Sequence, residues 1–115
     1  MAKLISFDID GTMEFGDPPG SITLEMVRNA RRMGFLIGSC SDRTISYQQR
    51  LWLEHDIPVD FTVLKHRLSD VKAQFQAEVY YHIGDSEVDE FYSGRAGFVF
   101  LQADLSAPRR LGIDG

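Results

Sequence analysis

The stretch KLISFDIDGT, from Lys3 to Thr12, decides how the rest of the chain is interpreted. Its first part, up to Asp8, is a short apolar run rich in β-forming residues, which predicts a buried strand. Asp8 and Asp10 stand two residues apart where this run ends, so alternation along a strand places both carboxylates on one side. Gly11 opens a loop with three glycines and two prolines that runs to Gly20. The stretch therefore predicts a strand with two acidic side chains at its carboxyl end.

Apolar runs and helical patterns alternate along the remaining sequence. The further predicted strands are residues 35–40, 60–64, 78–83 and 98–101. The predicted helices start at Ser21, at Thr44 and at Ser69 or Asp70, and a fourth lies within residues 86–94. Strands separated by helices indicate βαβ units, which build a parallel sheet covered on both faces. The predicted fold class is α/β, a Rossmann-like three-layer sandwich around a mainly parallel five-stranded sheet.

Composition and charge limit the classes of function. A chain of 115 residues with 43% hydrophobic and 25% charged residues is typical of one globular domain. We predict a core over residues 1–103 and a loosely held C-terminal tail over residues 104–115. The net charge of −5 argues against a broad nucleic-acid-binding surface. No apolar run approaches the roughly 20 residues of a membrane helix, so no membrane partner is expected.

The first apolar run and the single cysteine indicate the cellular location of the protein. Asp8 and Asp10 interrupt the first apolar run, so no secretory signal peptide is predicted. Cys40 is the only cysteine, which excludes an internal disulfide and is consistent with a reducing compartment. We therefore expect a cytoplasmic location. Cys40 lies near a predicted strand end and is interpreted as a buried, inert thiol.

Polar residues follow three of the predicted strands. The first strand ends at Asp8, the second near Ser41 and the fourth at Asp85. In open parallel sheets, ligands bind beyond the carboxyl ends of the strands, so we expect these residues to meet. Close carboxylates stay ionised together when a cation lies between them, and Mg²⁺ prefers oxygen ligands. The sequence therefore predicts a Mg²⁺ site, which Asp89, one helical turn after Asp85, would support.

A carboxylate beside a metal can also attack phosphorus and form an aspartyl-phosphate. Attack on a phosphate dianion needs charge neutralisation, which a metal and a lysine together provide. A hydroxyl in a strand-to-helix loop can hold phosphate oxygens. Ser41 is suitably placed for this, and Ser39 is the alternative if the strand ends earlier. Arg43 is interpreted as a solvated arginine near the next helix cap.

These residues, taken in order, resemble the motifs of the haloacid dehalogenase superfamily of phosphohydrolases. The three clearest are Asp8-Ile9-Asp10-Gly11-Thr12, Ser41-Asp42-Arg43 and Gly84-Asp85-Ser86-Glu87-Val88-Asp89. The resemblance covers nearly the whole chain, residues 3–101. It implies that Asp8 is the nucleophile and a metal ligand, and that Asp10 binds the metal through its backbone carbonyl and acts as general acid, then base. It also implies that Ser41 binds the transferring phosphoryl group, Asp85 ligates Mg²⁺ and Asp89 supports that site.

The family also has a lysine, for which the sequence offers two candidates. Lys65 directly follows the third predicted strand, whereas Lys72 lies in the first turn of the next predicted helix. The family usually places this lysine at a helix start, which favours Lys72. The short distance from Lys72 to Gly84 keeps Lys65 as the alternative.

The sequence leaves no room for the cap domain that many family members carry. Only Met13 to Gly20 and Lys65 to Ala77 occupy the usual insertion points, so we predict a capless enzyme with an open site. Its partner would be a phosphorylated substrate, either a small molecule or the phosphate end of a macromolecule. Assembly into a homo-oligomer would be another way to cover the site, and exposed aromatics such as Phe15 or Tyr92 would suit it.

The expected function is therefore Mg²⁺-dependent phosphomonoester hydrolysis through an aspartyl-phosphate. One alternative is a non-catalytic relative that keeps the fold for binding. Another is a receiver-type phosphoacceptor module, which would need a lysine after the last strand. No lysine follows Lys72, which disfavours that alternative.

Overall fold

Five parallel strands form the centre of the molecule in the computed structural model, which describes residues 1–115. The strands are β1 (Leu4–Phe7), β2 (Leu36–Ser41), β3 (Phe61–Leu64), β4 (Tyr80–Gly84) and β5 (Val99–Gln102). The helices are α1 (Leu24–Arg32), α2 (Ile45–Glu54), α3 (Leu68–Gln74), α4 (Glu87–Ala96) and α5 (Ser106–Leu111). A 3₁₀ turn, Lys65–Arg67, joins β3 to α3. The predicted fold class is confirmed, and every strand pair is parallel.

The sheet order is β3-β2-β1-β4-β5, so β1 is central. The four residues of β1 are completely buried, as expected for a strand covered on both faces. Ile5 and Phe7 pack in one core cluster with α1, α2 and α5, and Leu4 packs in another with α3 and α4. The alternation of β1 therefore directs Ser6 and Asp8 towards the α3 and α4 layer.

Helix ends correct several predicted boundaries. Thr23, not Ser21, caps α1, and its hydroxyl accepts a hydrogen bond from the Met26 N–H at 3.1 Å. Thr44 caps α2 as predicted. No side chain caps α3, because the 3₁₀ turn leads directly into it, so the prediction of Ser69 or Asp70 as a cap is wrong.

The C-terminal segment is packed on the core, contrary to the prediction that residues 104–115 are loosely held. It contains α5, and Ala107 and Ile113 are buried in the core cluster of α1. The Asn29 amide donates a hydrogen bond to the Ile113 carbonyl at 2.9 Å. The predicted division of the chain at residue 103 stays a prediction.

The two short insertions match the capless prediction. Residues 13–20 form a loop without helix or extended strand, and residues 65–77 hold only the 3₁₀ turn and α3. Phe15 in the first loop packs edge-on against Trp52 and stacks on His55, so it is not the exposed aromatic that assembly would use. None of the helices has the length and hydrophobicity needed to cross a bilayer.

Candidate active site

The carboxyl ends of four neighbouring strands bring the polar residues together. Asp8 follows β1, Ser41 ends β2, Lys65 follows β3 and Asp85 follows β4. Because all these strands are parallel, their ends lie at one edge of the sheet. The predicted convergence of Asp8, Ser41 and Asp85 is thus consistent with the topology, and Lys65 joins them at the same edge.

Three carboxylates form a compact cluster at this edge. Oxygen atoms of Asp8, Asp85 and Asp89 all lie within 4.8 Å of one another, with Asp8 and Asp89 buried and Asp85 exposed. Two glycines make this approach possible. A Cβ at Gly11 would overlap the Asp85 carboxylate, and one at Gly84 would overlap that of Asp89. The glycines of the two motifs therefore have a steric role, and Gly11 also has a φ of 77° that favours glycine.

The lysine of the cluster is Lys65. Its Nζ lies 3.4 Å from Asp8 Oδ2, 3.5 Å from Asp89 Oδ1 and 3.7 Å from Asp42 Oδ2. Its side chain is only 11% exposed, so water screens these interactions weakly. Burial alone would lower the pKa of Lys65, but the surrounding carboxylates raise it above its usual value. The ammonium therefore stays charged.

The prediction that Lys72 is the site lysine is wrong, because Lys72 contacts Gly97 and Tyr80 and not the acidic cluster. The Nζ of Lys72 lies 3.4 Å from the Gly97 carbonyl oxygen and 5.2 Å from the centre of the Tyr80 ring, on an exposed surface. The physical reason is the 3₁₀ turn. It places Lys65 directly at the end of β3, whereas Lys72 is carried away along α3.

Asp8 is buried in a strongly acidic environment. Burial and the negative charge of Asp89 raise the pKa of Asp8 to about 8, although Lys65 lowers it. An ionised Asp8 at neutral pH therefore requires more positive charge than Lys65 alone provides.

Asp89 has both carboxylate oxygens occupied by donors from the protein. Its Oδ1 accepts from His82 Nε2 at 2.8 Å and also faces Lys65, while its Oδ2 accepts from the Ser86 hydroxyl at 2.9 Å. The Oδ2 also closes a capping box at the start of α4. Burial would raise the pKa of Asp89, but the hydrogen bond from His82 and the charge of Lys65 hold it below the usual range. Asp89 therefore fits a supporting role better than that of a direct metal ligand.

Asp10 is held by Arg43 and is not part of the three-carboxylate cluster. Arg43 Nε donates to Asp10 Oδ2 at 2.8 Å, and its terminal nitrogen donates to Oδ1 at 3.2 Å. The Asp17 N–H also donates to Oδ1 at 2.9 Å. Burial would raise the pKa of Asp10, but these hydrogen bonds lower it. The interpretation of Arg43 as merely solvated is wrong, and its contact with Asp10 spans 33 residues.

The hydroxyl at the end of β2 belongs to Ser41. It accepts a hydrogen bond from the Arg43 N–H at 3.0 Å, which leaves its own proton free to be donated. The Ser39 hydroxyl instead donates to Gln48 Oε1 at 2.6 Å and accepts from Trp52 Nε1 at 2.9 Å. Ser39 is therefore fully used inside the core, and Ser41 is the better candidate.

Cys40 does not take part. It is buried, its thiol faces the Leu64 carbonyl, and burial together with the charges of Asp8 and Asp89 raises the pKa of the thiol. The predicted burial of Cys40 is confirmed, and a protonated buried thiol is a poor nucleophile.

The donor set fits Mg²⁺. Three carboxylates, from Asp8, Asp42 and Asp89, lie 3.4–3.7 Å from the ammonium of Lys65, and the Asp85 carboxylate lies beside those of Asp8 and Asp89. This excess of negative charge and the oxygen-only ligands suit a hard divalent cation. Asp85 is best placed to bind it, because its carboxylate is exposed and makes no ion pair or hydrogen bond within the protein. Asp8 would be the second side-chain ligand, and the contribution of the Asp10 carbonyl stays a prediction.

No model of a known protein family matches the chain, and no curated protein sequence matches it.

Proposed function

We propose that the protein is a capless, Mg²⁺-dependent phosphomonoester hydrolase of the haloacid dehalogenase type. The observation that carries the proposal is the pair of Asp8 and Lys65, 3.4 Å apart at the carboxyl edge of the central strand. A buried carboxylate next to a cation and two further carboxylates, those of Asp85 and Asp89, is costly for stability. Such an arrangement is commonly found where a protein binds or transfers charged groups.

In the proposed reaction, an oxygen of Asp8 attacks the phosphorus atom, and the bond from phosphorus to the ester oxygen breaks. Asp10 gives a proton to the departing oxygen. Water then attacks the phosphorus of the aspartyl-phosphate and gives a proton to Asp10, the bond from phosphorus to the Asp8 oxygen breaks, and inorganic phosphate leaves. Lys65 and the hydroxyl of Ser41 would stabilise the charged oxygens of the phosphoryl group.

Mg²⁺, held by Asp8 and Asp85, would supply the remaining positive charge that two approaching anions require. The short loop of residues 13–20 leaves the site open, so the substrate could be a small phosphate ester or the phosphate end of a macromolecule. A cytoplasmic location is part of the proposal, and the single free thiol is consistent with it. Self-association that covers the open site also remains a proposal.

The Asp10–Arg43 ion pair favours a second candidate, a non-catalytic protein that binds phosphate esters. In this pair Arg43 holds Asp10 ionised, whereas a general acid must carry a proton. The hydrolase therefore needs Arg43 to leave Asp10 when substrate binds. No observation favours a receiver-type module, since no lysine follows residue 72.

Turnover of p-nitrophenyl phosphate distinguishes these candidates. We expect turnover with Mg²⁺, none with EDTA, and a large loss in Asp8→Asn. Asp70→Asn is the matched control, because it makes the same change at a partly exposed carboxylate paired with Arg67. Binding of the ester without turnover would support the non-catalytic candidate. Equal turnover with EDTA, or in Asp8→Asn, would contradict the hydrolase.

A further inference from the structure

Three buried polar side chains form a row that ends at Asp89, a member of the acidic cluster. Ser6 lies on β1 opposite His82 on β4, and Asp89 lies on α4. His82 Nδ1 is 2.9 Å from the Ser6 hydroxyl, and His82 Nε2 is 2.8 Å from Asp89 Oδ1. All three residues are at most 1% exposed. The sequence predicts a packed core histidine at this position, and the burial of His82 confirms it; both ring nitrogens also have polar partners.

The chemistry of the partners assigns the proton positions. An ionised carboxylate only accepts hydrogen bonds, so His82 Nε2 must carry a proton and donate it to Asp89. In the neutral ring, Nδ1 then accepts a hydrogen bond from the Ser6 hydroxyl. Each polar atom of the row is therefore satisfied without water, and the ring is fixed from both sides.

The Asp89 oxygen that binds His82 is also the oxygen that faces Lys65. Lys65 lies 3.5 Å from this atom and 3.4 Å from Asp8 Oδ2. A rotated Asp89 carboxylate would remove one of the three anions that hold the ammonium in place. The other oxygen of Asp89 is committed to Ser86 and the α4 cap, so it cannot substitute.

We propose that His82 is a positioning residue that orients Asp89 and, through it, holds the Lys65 ammonium beside Asp8. This inference rests on the proposed hydrolase only for its effect on turnover. The orientation itself is a property of the metal-free protein. His82 touches neither the substrate nor the reacting atoms.

Two substitutions distinguish the contact that His82 Nε2 makes with Asp89 from the contact that Nδ1 makes with Ser6. His82→Gln can place an amide donor where Nε2 lies, whereas His82→Asn can keep a polar group near Nδ1 but cannot reach Asp89. We expect kcat to fall about 10-fold or more in His82→Asn with little change in KM, the size typical of residues that orient site ligands. His82→Gln should keep kcat within about 3-fold, since it restores the same hydrogen bond. Ser6→Ala is the control that removes only the bond on the far side of the ring.

The second measurement does not depend on activity. Metal-free protein is treated with a limiting amount of acetic anhydride, and acetylation of Lys65 is measured by mass spectrometry relative to the exposed Lys72. We expect the relative labelling of Lys65 to rise in His82→Asn and to stay near the wild-type value in His82→Gln. Equal labelling in the two variants would contradict the proposal, as would equal losses of kcat. If wild-type protein has no turnover, the hydrolase fails, while the labelling still decides the role of His82.

The wild-type protein gives an independent test if His82→Asn does not fold. In ¹⁵N NMR of the histidine rings, His82 should show a proton on Nε2 that exchanges slowly with water, unlike the rings of His55 and His66. A neutral His82 ring with its proton on Nδ1 would overturn the proposal, because such a ring cannot donate to Asp89.

Discussion

Replacement of Lys65 by methionine is the change with the largest expected effect outside the proposed nucleophile, Asp8. At the effective dielectric constant of about 20 that suits protein sites, attraction across the 3.5 Å from Lys65 to the ionised Asp89 amounts to about 5 kcal/mol. Asp8, with a pKa of about 8, is mostly protonated in the metal-free protein at pH 7 and adds little to this attraction. Desolvation of the buried ions offsets much of this attraction. Removing one partner of a buried ion pair still costs about 3–5 kcal/mol, because the other charges are left uncompensated.

We therefore expect Lys65→Met to lower the free energy of unfolding of the metal-free protein by about 3 kcal/mol at pH 7. It should also lower turnover of p-nitrophenyl phosphate by about 100-fold or more, as loss of a charge-stabilising donor commonly does. Lys72→Met is the matched control. Lys72 has only an exposed contact with a carbonyl and a ring, so its loss should cost less than about 1 kcal/mol.

Urea denaturation measures the first effect and steady-state kinetics the second. Lys65→Met and Lys72→Met remove the same charge, so general effects of net charge cancel between them. A Lys72→Met variant that loses more activity than Lys65→Met would refute the assignment of Lys65 to the site. A Lys65→Met variant as stable as wild type would refute the estimate of its buried interactions.

The remaining predictions concern pH and geometry. The folded-state pKa of Asp8 is raised to about 8, so the folded protein binds more protons than the unfolded chain. Asp8 should therefore make the metal-free protein less stable by about 1.4 kcal/mol per pH unit as the pH rises from about 4 to about 8. Urea denaturation of Asp8→Asn should lack this contribution, and an unchanged slope would contradict it. Gly11→Ala should weaken Mg²⁺ binding, measured by calorimetry, because its Cβ would displace the Asp85 carboxylate; wild-type affinity would exclude this contact as important. Arg43→Met removes the hydrogen bonds that lower the pKa of Asp10, so the protonated acid should persist to higher pH. The basic limb of the pH–rate profile should then move upwards, and a downward shift would contradict the role of Asp10.

Features set by local pattern were predictable from the sequence. Asp8, Ser41 and Asp85 each follow an apolar run, and parallel strands must align their carboxyl ends. To predict that these residues meet at one edge, it was therefore enough to locate the strands and the helices between them. The absence of a cap followed from loop length alone.

Features set by packing were not predictable in the same way. The 3₁₀ turn after β3 starts at Lys65 itself, and no capping side chain signals where α3 begins. The pairing of Asp10 with Arg43 depends on a contact across 33 residues. Ile113 lies between Gly112 and Asp114, outside any predicted element, yet docking beside Asn29 buries it completely. The position of Lys65 directly after the third predicted strand was the one available signal, and the helix-start argument that favoured Lys72 outweighed it.

Chemical trapping at Asp8 tests the central claim most directly. An aspartyl-phosphate can be reduced by borohydride to homoserine, and the position of this change can be read by peptide mass spectrometry. We predict reduction at Asp8 when acid-quenched protein has been mixed with Mg²⁺ and substrate, and none when EDTA or Asp8→Asn is used. Turnover with no reduction at Asp8, or with reduction at Asp85 instead, would contradict the assignment of Asp8 as the nucleophile.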